Sequence, residues 1–161
     1  MRKNVRDARR GMTLIEIVVV TALIVILTGT YFLVANPAGQ LGGARNHERQ
    51  LQLQSIMNAI RQNIADQSNE QFSCTAGPIP TSTADMTSRA GAGNYNIAPC
   101  IVFGAGVYGL FSMPFDPSAS SSYFNSVNDY ESNYSIIANA SGSVTLSAPG
   151  AELKQTISVT R

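Results

Sequence analysis

Nineteen consecutive residues from Ile17 to Ala35 carry no charge, and this run constrains the chain more than any other feature. A bilayer core about 30 Å thick is crossed by roughly 20 mainly apolar residues in a helix. Within hydrocarbon every backbone N–H and C=O must find its partner inside the segment, which a helix provides. The run therefore qualifies as a membrane span. Ahead of it stand Arg2, Lys3, Arg6, Arg9 and Arg10, five cations against Asp7, so the first eleven residues sum to +4. Basic residues beside a span stay in the cytoplasm, and a single crossing with the N-terminus inside is expected. Since the whole chain is at +1, the other residues sum to −3. Charged residues are only 13% of the chain, against roughly 25% in an ordinary soluble domain. No clustered surplus of Lys and Arg stands outside the first ten residues, so nucleic acid is not indicated as a partner.

A secretory signal peptide has an apolar core of about 7 to 15 residues and a small-x-small cleavage site. Here the core is longer, and Val34-Ala35-Asn36 is a poor site. A simple signal anchor accounts for charge and length but leaves Glu16 at the cytoplasmic end of the apolar run. An ionisable residue at that place either snorkels to the headgroups or has a functional partner.

The stretch Gly11-Met12-Thr13-Leu14-Ile15-Glu16 resembles the processing site of type IV pilins and pseudopilins, with Met12 standing where Phe is commonest. The resemblance implies cleavage by a prepilin peptidase between Gly11 and Met12 and N-methylation of the new Met12 amine. It also implies that Glu16, within the assembly segment Thr13, Leu14, Ile15 and Glu16, meets the Met12 amine of a neighbouring subunit in a fibre. Within one chain that amine would lie four residues from Glu16, on the same helical face.

Asn36-Pro37-Ala38-Gly39-Gln40-Leu41-Gly42-Gly43 gathers residues that weaken helices, Pro costing about 3 kcal/mol and Gly about 1 relative to Ala. Pro37, Gly39, Gly42 and Gly43 thus predict a kink or unwound stretch. The helical pattern resumes from Ala44 to about Ser68, where Leu53, Ile56, Met57, Ile60 and Ile64 form one apolar stripe. Arg45, Glu48, Arg49, Arg61 and Asp66 are expected on the other faces. The predicted layout is a leader over 1–11, a transmembrane and assembly helix over 12–35, a kinked amphipathic continuation over 36–70, and a globular domain over 71–161.

In that domain residues 72–94 read as a loop and residues 97–111 as a strand interrupted by glycines. Residues 113–117 read as a turn, and residues 134–138, 143–147 and 156–160 as strands. A long helix followed by a meander predicts an α+β fold, one helix laid on a small antiparallel sheet, which is also the architecture that the resemblance implies. Cys74 and Cys100 lie beyond the span, where oxidation is permitted. They are read as a disulfide, with two free thiols as the alternative.

Catalytic signals are weak. His47 is the only histidine and sits beside Glu48 at a polar helix start, where a solvated residue is expected. Some secretion pseudopilins bind calcium in a C-terminal loop, which makes Asp116, Asp129 and Glu131 the metal candidates. Their spacing matches no calcium motif, and solvated loop carboxylates are expected. Tyr123, Phe124, Tyr130 and Tyr134 either pack the core or form an adhesive surface. Neither enzyme activity nor a cofactor is expected.

The resemblance implies a structural subunit of a type IV pilus-like filament. Its partners are further copies of itself and minor pilins, prepilin peptidase, and an inner-membrane assembly platform with a cytoplasmic ATPase. The precursor is expected in the cytoplasmic membrane and the product in an extracellular filament or periplasmic pseudopilus. A pseudopilin of a type II secretion or DNA-uptake system is the alternative within the superfamily. A membrane-anchored extracytoplasmic binding module that never polymerises is the alternative outside it.

Overall fold

The structure, a computed structural model, describes residues 12–68, 70–102 and 109–161. The chain divides into two compact units, Met1–Ala38 and Gly39–Arg161. The leader over 1–11 and the glycines Gly104 and Gly106 lie outside the described residues.

The described part of the first unit is dominated by helix α1 (Leu14–Ala35). It is rich in Val, Ile and Thr, whose stiff side chains give no special helical preference in water. In hydrocarbon the demand for internal backbone hydrogen bonds decides instead. The hydroxyls obey the same demand: Thr21 donates to the Ile17 carbonyl at 2.9 Å and Thr28 to that of Ile24 at 2.7 Å. Thr30 donates to the Leu27 carbonyl at 2.9 Å. The window Leu14–Phe32 has a mean hydropathy of 2.3 and none of it is buried.

Asn36 ends α1 with φ 37° and ψ 64°, a left-handed conformation that Asn tolerates better than most residues. Helix α2 (Pro37–Asp66) begins at once with Pro37, whose missing N–H and preset φ suit a first helical position. Where a kink or unwound stretch was expected across Pro37, Gly39, Gly42 and Gly43, the helical assignment is interrupted at Asn36, and Pro37 and the three glycines lie inside α2. Gly42 is used for close approach: a Cβ there would stand 3.0 Å from Glu152 Oε2 and 3.4 Å from Leu153 Cγ.

The second unit lays the stripe Leu53, Ile56, Met57 and Ile60 of α2 into the core, all buried. Opposite is a sheet of β1 (Ala84–Thr87), β2 (Asn94–Tyr95), β3 (Tyr123–Ser126), β4 (Asp129–Ala138), β5 (Val144–Ala148) and β6 (Ile157–Thr160). The order is β2-β1-β4-β5-β6, with β3 also paired to β4. Every pairing is antiparallel except β1 with β2. Tyr130, Ser132, Tyr134 and Ile136 of β4 are buried, as are Val144, Leu146 and Ala148 of β5. This period-2 alternation is what a sheet with one covered face requires. The fold is α+β, one helix on a largely antiparallel sheet, consistent with the pilin fold.

Two expectations change. The segment 72–94 contains β1 and the first residue of β2. The strand expected over 97–111 begins instead as a short helix, α3 (Ala98–Ile101), because Pro99 has no N–H to give a ladder and suits a first helical turn. Strand β3 was not anticipated. The strands at 134–138, 143–147 and 156–160 appear as β4, longer at its start, and as β5 and β6.

Cys74 and Cys100 form a disulfide that joins the segment after α2 to α3. Asn63 braces the same junction. Its Nδ2 donates to the carbonyls of Ser73 at 3.1 Å and Cys100 at 2.9 Å, and its Oδ1 accepts from the Ser73 N–H at 3.0 Å. Closing this loop contributes about 3 kcal/mol in the chain-entropy model. The double variant Cys74→Ser, Cys100→Ser is expected to lose that amount in equilibrium denaturation, and reductant should lower the parent to the same level. Equal stability of parent and variant would show that the loop is held by Asn63 and packing alone.

The N-terminal half of the second unit's helix is held by charge. Arg49 and Asp116 both have side chains at 0% exposure, and they meet twice, Nε to Oδ2 at 2.9 Å and Nη2 to Oδ1 at 3.0 Å. Arg49 also donates to Asn46 Oδ1 at 2.7 Å and to Ser118 Oγ. Arg45 grips the Glu152 carboxylate at 2.7 and 2.9 Å. Arg49 thus departs from the outward position expected for it, and Asp116 from solvation in a loop. Gly150 makes room for the pair, since a Cβ there would collide with Asp116 Oδ2.

Candidate processing and assembly site

The start of α1 is set by Thr13, which has extended backbone at φ −76° and ψ 149°. Its carbonyl accepts from the N–H groups of Glu16 at 3.1 Å and Ile17 at 3.3 Å, and its hydroxyl accepts from the Glu16 N–H at 3.4 Å. Helix N-termini leave several N–H groups without internal partners, and a Thr cap satisfies one of them. The spacing Thr13-x-x-Glu16 is that of a capping box, a local signal that the sequence reading passed over.

Met12 and Thr13 therefore precede the helix, and Met12 is 69% exposed. Gly11 lies outside the described residues, so only the Met12 side of the expected scissile bond is described. Leu14 and Ile15 are exposed, and Glu16 stands in the first helical turn. There a carboxylate is favoured by the partial positive charge of the helix terminus. Among the described residues no cation pairs with Glu16. The geometry presents an accessible short segment, a capped helix start and a carboxylate in the first helical turn, at the edge of an uncharged apolar surface.

The metal candidates are not brought together. Asp116 is closed off by Arg49, whereas exposed Asp129 accepts from Tyr123 Oη at 3.0 Å and Asn125 Nδ2 at 2.9 Å. These donors hold the Asp129 carboxyl below its ordinary value. Glu131 faces Arg89 at 3.9 Å. Among the described residues no three His, Cys, Asp or Glu side chains gather to hold a metal ion. His47 is exposed on α2. Of the aromatics, Tyr130 and Tyr134 are core residues, while Tyr123 and Phe124 are half-buried on β3. The Tyr130 hydroxyl accepts from the Ile97 N–H at 3.1 Å, and burial pushes its pKa up to about 12.

Residues 6–32 match the family described as the prokaryotic N-terminal methylation motif. No curated protein and no solved structure matches the chain. The family match covers the second half of the basic leader, the segment 11–16 and most of α1. The chain carries a type IV pilin or pseudopilin-like prepilin motif, and this N-terminus fits a membrane-anchored precursor. Such a motif points to a structural protein rather than an enzyme and implies processing by a prepilin peptidase.

Proposed function

We propose that the chain is a structural subunit of a type IV pilus-like filament, cut between Gly11 and Met12, methylated at Met12 and polymerised through α1. The observation that carries this reading is the methylation motif over residues 6–32, and Glu16 stands in the first turn of a helix whose apolar window has no buried residue. A helix this apolar is stable in lipid, and outside lipid it needs another cover. Burying one large aliphatic side chain contributes about 1.5 to 3 kcal/mol, and copies of the same helix offer that burial along its whole length.

Charge supports the same reading. A new amine at Met12 would sit at the positive end of α1, where the helix terminus disfavours a cation. Glu16 of an adjacent copy would neutralise it, with Thr13, Leu14 and Ile15 packed around the pair. Prepilin peptidase, an assembly platform with its cytoplasmic ATPase and minor pilins follow as partners. The filament is extracellular, or periplasmic if the system is a secretion or DNA-uptake machine.

The test is the intact mass and N-terminal peptide of protein sheared from cells. The expected product begins at N-methylated Met12. A chain that still begins at Met1 and is found only in membranes would sink the filament reading and favour an anchored module.

A further inference from the structure

The loop after β5 is held in a conformation its residues disfavour. Leu153 and Lys154 both have φ 57°, in the left-handed region where residues with side chains are seldom held unless the surroundings impose it. Here the surroundings do. The Asn46 side chain clamps the Glu152 backbone from both sides, donating to its carbonyl at 2.8 Å and accepting from its N–H at 2.8 Å. It also donates to Gln155 Oε1 at 2.9 Å. Arg45 holds the Glu152 carboxylate, and Leu153 leans on the space left by Gly42.

The effect of this clamp is to hold an apolar side chain and a cation outward. Leu153 is 53% exposed and Lys154 is exposed. Among the described residues no carboxylate pairs with Lys154. Leu41, the residue before Gly42, is likewise 59% exposed. A leucine beside a lysine with a long aliphatic stem suits the boundary between acyl chains and headgroups, where the one enters the apolar layer and the other meets phosphate.

Chain connectivity limits how far this patch lies from a bilayer. Leu41 follows Ala35, the last residue of α1, by six residues, which is about 9 Å at helical rise and about 20 Å fully extended. The headgroup layer on one side of a bilayer is itself about 5 to 8 Å thick. Phe111, the most exposed aromatic among the described residues of the second unit, follows Leu110, whose N–H bonds to the Ile101 carbonyl. Asn63, near the far end of α2, holds the adjacent Cys100.

We propose that Leu153 and Lys154, with Leu41, form a docking patch for an anionic lipid surface and seat the globular unit of the membrane-held precursor on the outer face of its bilayer. The proposal rests on α1 lying in a bilayer and not on polymerisation.

The chain contains no tryptophan, so a single introduced Trp reports its own surroundings. Full-length Leu153→Trp, Phe111→Trp and Val25→Trp are reconstituted separately into vesicles of phosphatidylcholine and phosphatidylglycerol brominated near the headgroups or near the chain ends. Trp at 153 is expected to emit at shorter wavelength and to lose emission to the shallow bromines. That loss should shrink when Lys154→Glu is added or phosphatidylglycerol is omitted. Trp at 111 should keep its emission, and Trp at 25 should be quenched by the deep bromines. Water-like, unquenched emission at 153 beside a quenched Trp at 25 overturns the docking patch and leaves the span intact. Equal quenching at 111 and 153 overturns its siting. A concentration-dependent shift at 153 without bromine quenching assigns the patch to a second copy and overturns the lipid. An unquenched Trp at 25 removes the span itself, and the proposal with it.

Discussion

Asp116→Ala is expected to destabilise the globular unit by about 3 to 5 kcal/mol, the cost of leaving one member of a buried ion pair without its partner. The expectation is large because Arg49 is sealed at 0% exposure and, among the described residues, its other acceptors are Asn46, Ser118 and the more distant Glu152 at 3.4 Å. None of these replaces a bidentate carboxylate. Arg49→Met combined with Asp116→Leu should lose less than the single change, since a buried pair exchanged for apolar groups of similar size is often nearly neutral. Equilibrium denaturation of the full chain in detergent, followed by circular dichroism, measures both. A loss under 1 kcal/mol for Asp116→Ala would mean that water reaches the guanidinium.

The same pair sets an acid limb. Burial raises the Asp116 pKa, but the Arg49 guanidinium and the N–H and hydroxyl of Ser118 outweigh it and hold the carboxyl below its ordinary 3.8. A carboxyl whose folded value lies below its unfolded one contributes stability that is complete above the unfolded value. That contribution is lost as pH falls through the folded value. Stability of the parent should therefore drop as the medium is acidified below about pH 4, more steeply than that of Asp116→Asn, which has no such proton to take up.

What was legible in the sequence was local. The uncharged run, the leader and the segment 11–16 are contiguous, and the stripe of α2 repeats at the helical period. Arg49 was misplaced because a charge within an amphipathic pattern reads as solvent-facing, although it stands four residues before Leu53 and so continues the stripe toward Asn46. The polar residues Asn46, Arg49 and Asn63 all fall on the buried face of α2. Their partners lie in distant loops, Asp116 being 67 residues from Arg49 and Glu152 being 106 from Asn46, and no periodicity announces such contacts.

Strand β1 was missed for a related reason. Its residues Ala84-Asp85-Met86-Thr87 have little β preference of their own, and they are extended because β4 pairs with them, Ala84 opposite Ile136 and Asp85 opposite Ser135. The glycines at 39, 42 and 43 misled in the other direction. Their helix propensity is poor, yet Gly42 is required at the contact with Glu152 and Leu153, so tertiary packing outweighs the local cost. In the candidate site the segment 11–16 was legible as a motif, whereas the Thr13 cap that sets where the helix begins was not.

Glu16→Ala is expected to leave the precursor intact and abolish the filament. Thr13 still caps α1 through its carbonyl and hydroxyl, and the span loses a charge rather than gaining one, so insertion and cleavage after Gly11 should proceed and the mature chain should begin at Met12. Addition to a filament is different, because it would bury the Met12 amine of one copy among apolar helices with no carboxylate to meet it. An uncompensated buried charge costs about 3 to 5 kcal/mol, and at 1.4 kcal/mol per tenfold the affinity of a subunit for the growing end should fall by at least about 100-fold. Glu16→Gln keeps the shape and hydrogen-bonding capacity but not the charge, and should recover little. The measurement is the amount of sheared filament set against the amount of cleaved subunit in membranes. Filaments at parental yield from cleaved Glu16→Ala would show that apolar packing of α1 alone drives assembly, and accumulation of uncleaved chain would move Glu16 from assembly to recognition by the peptidase.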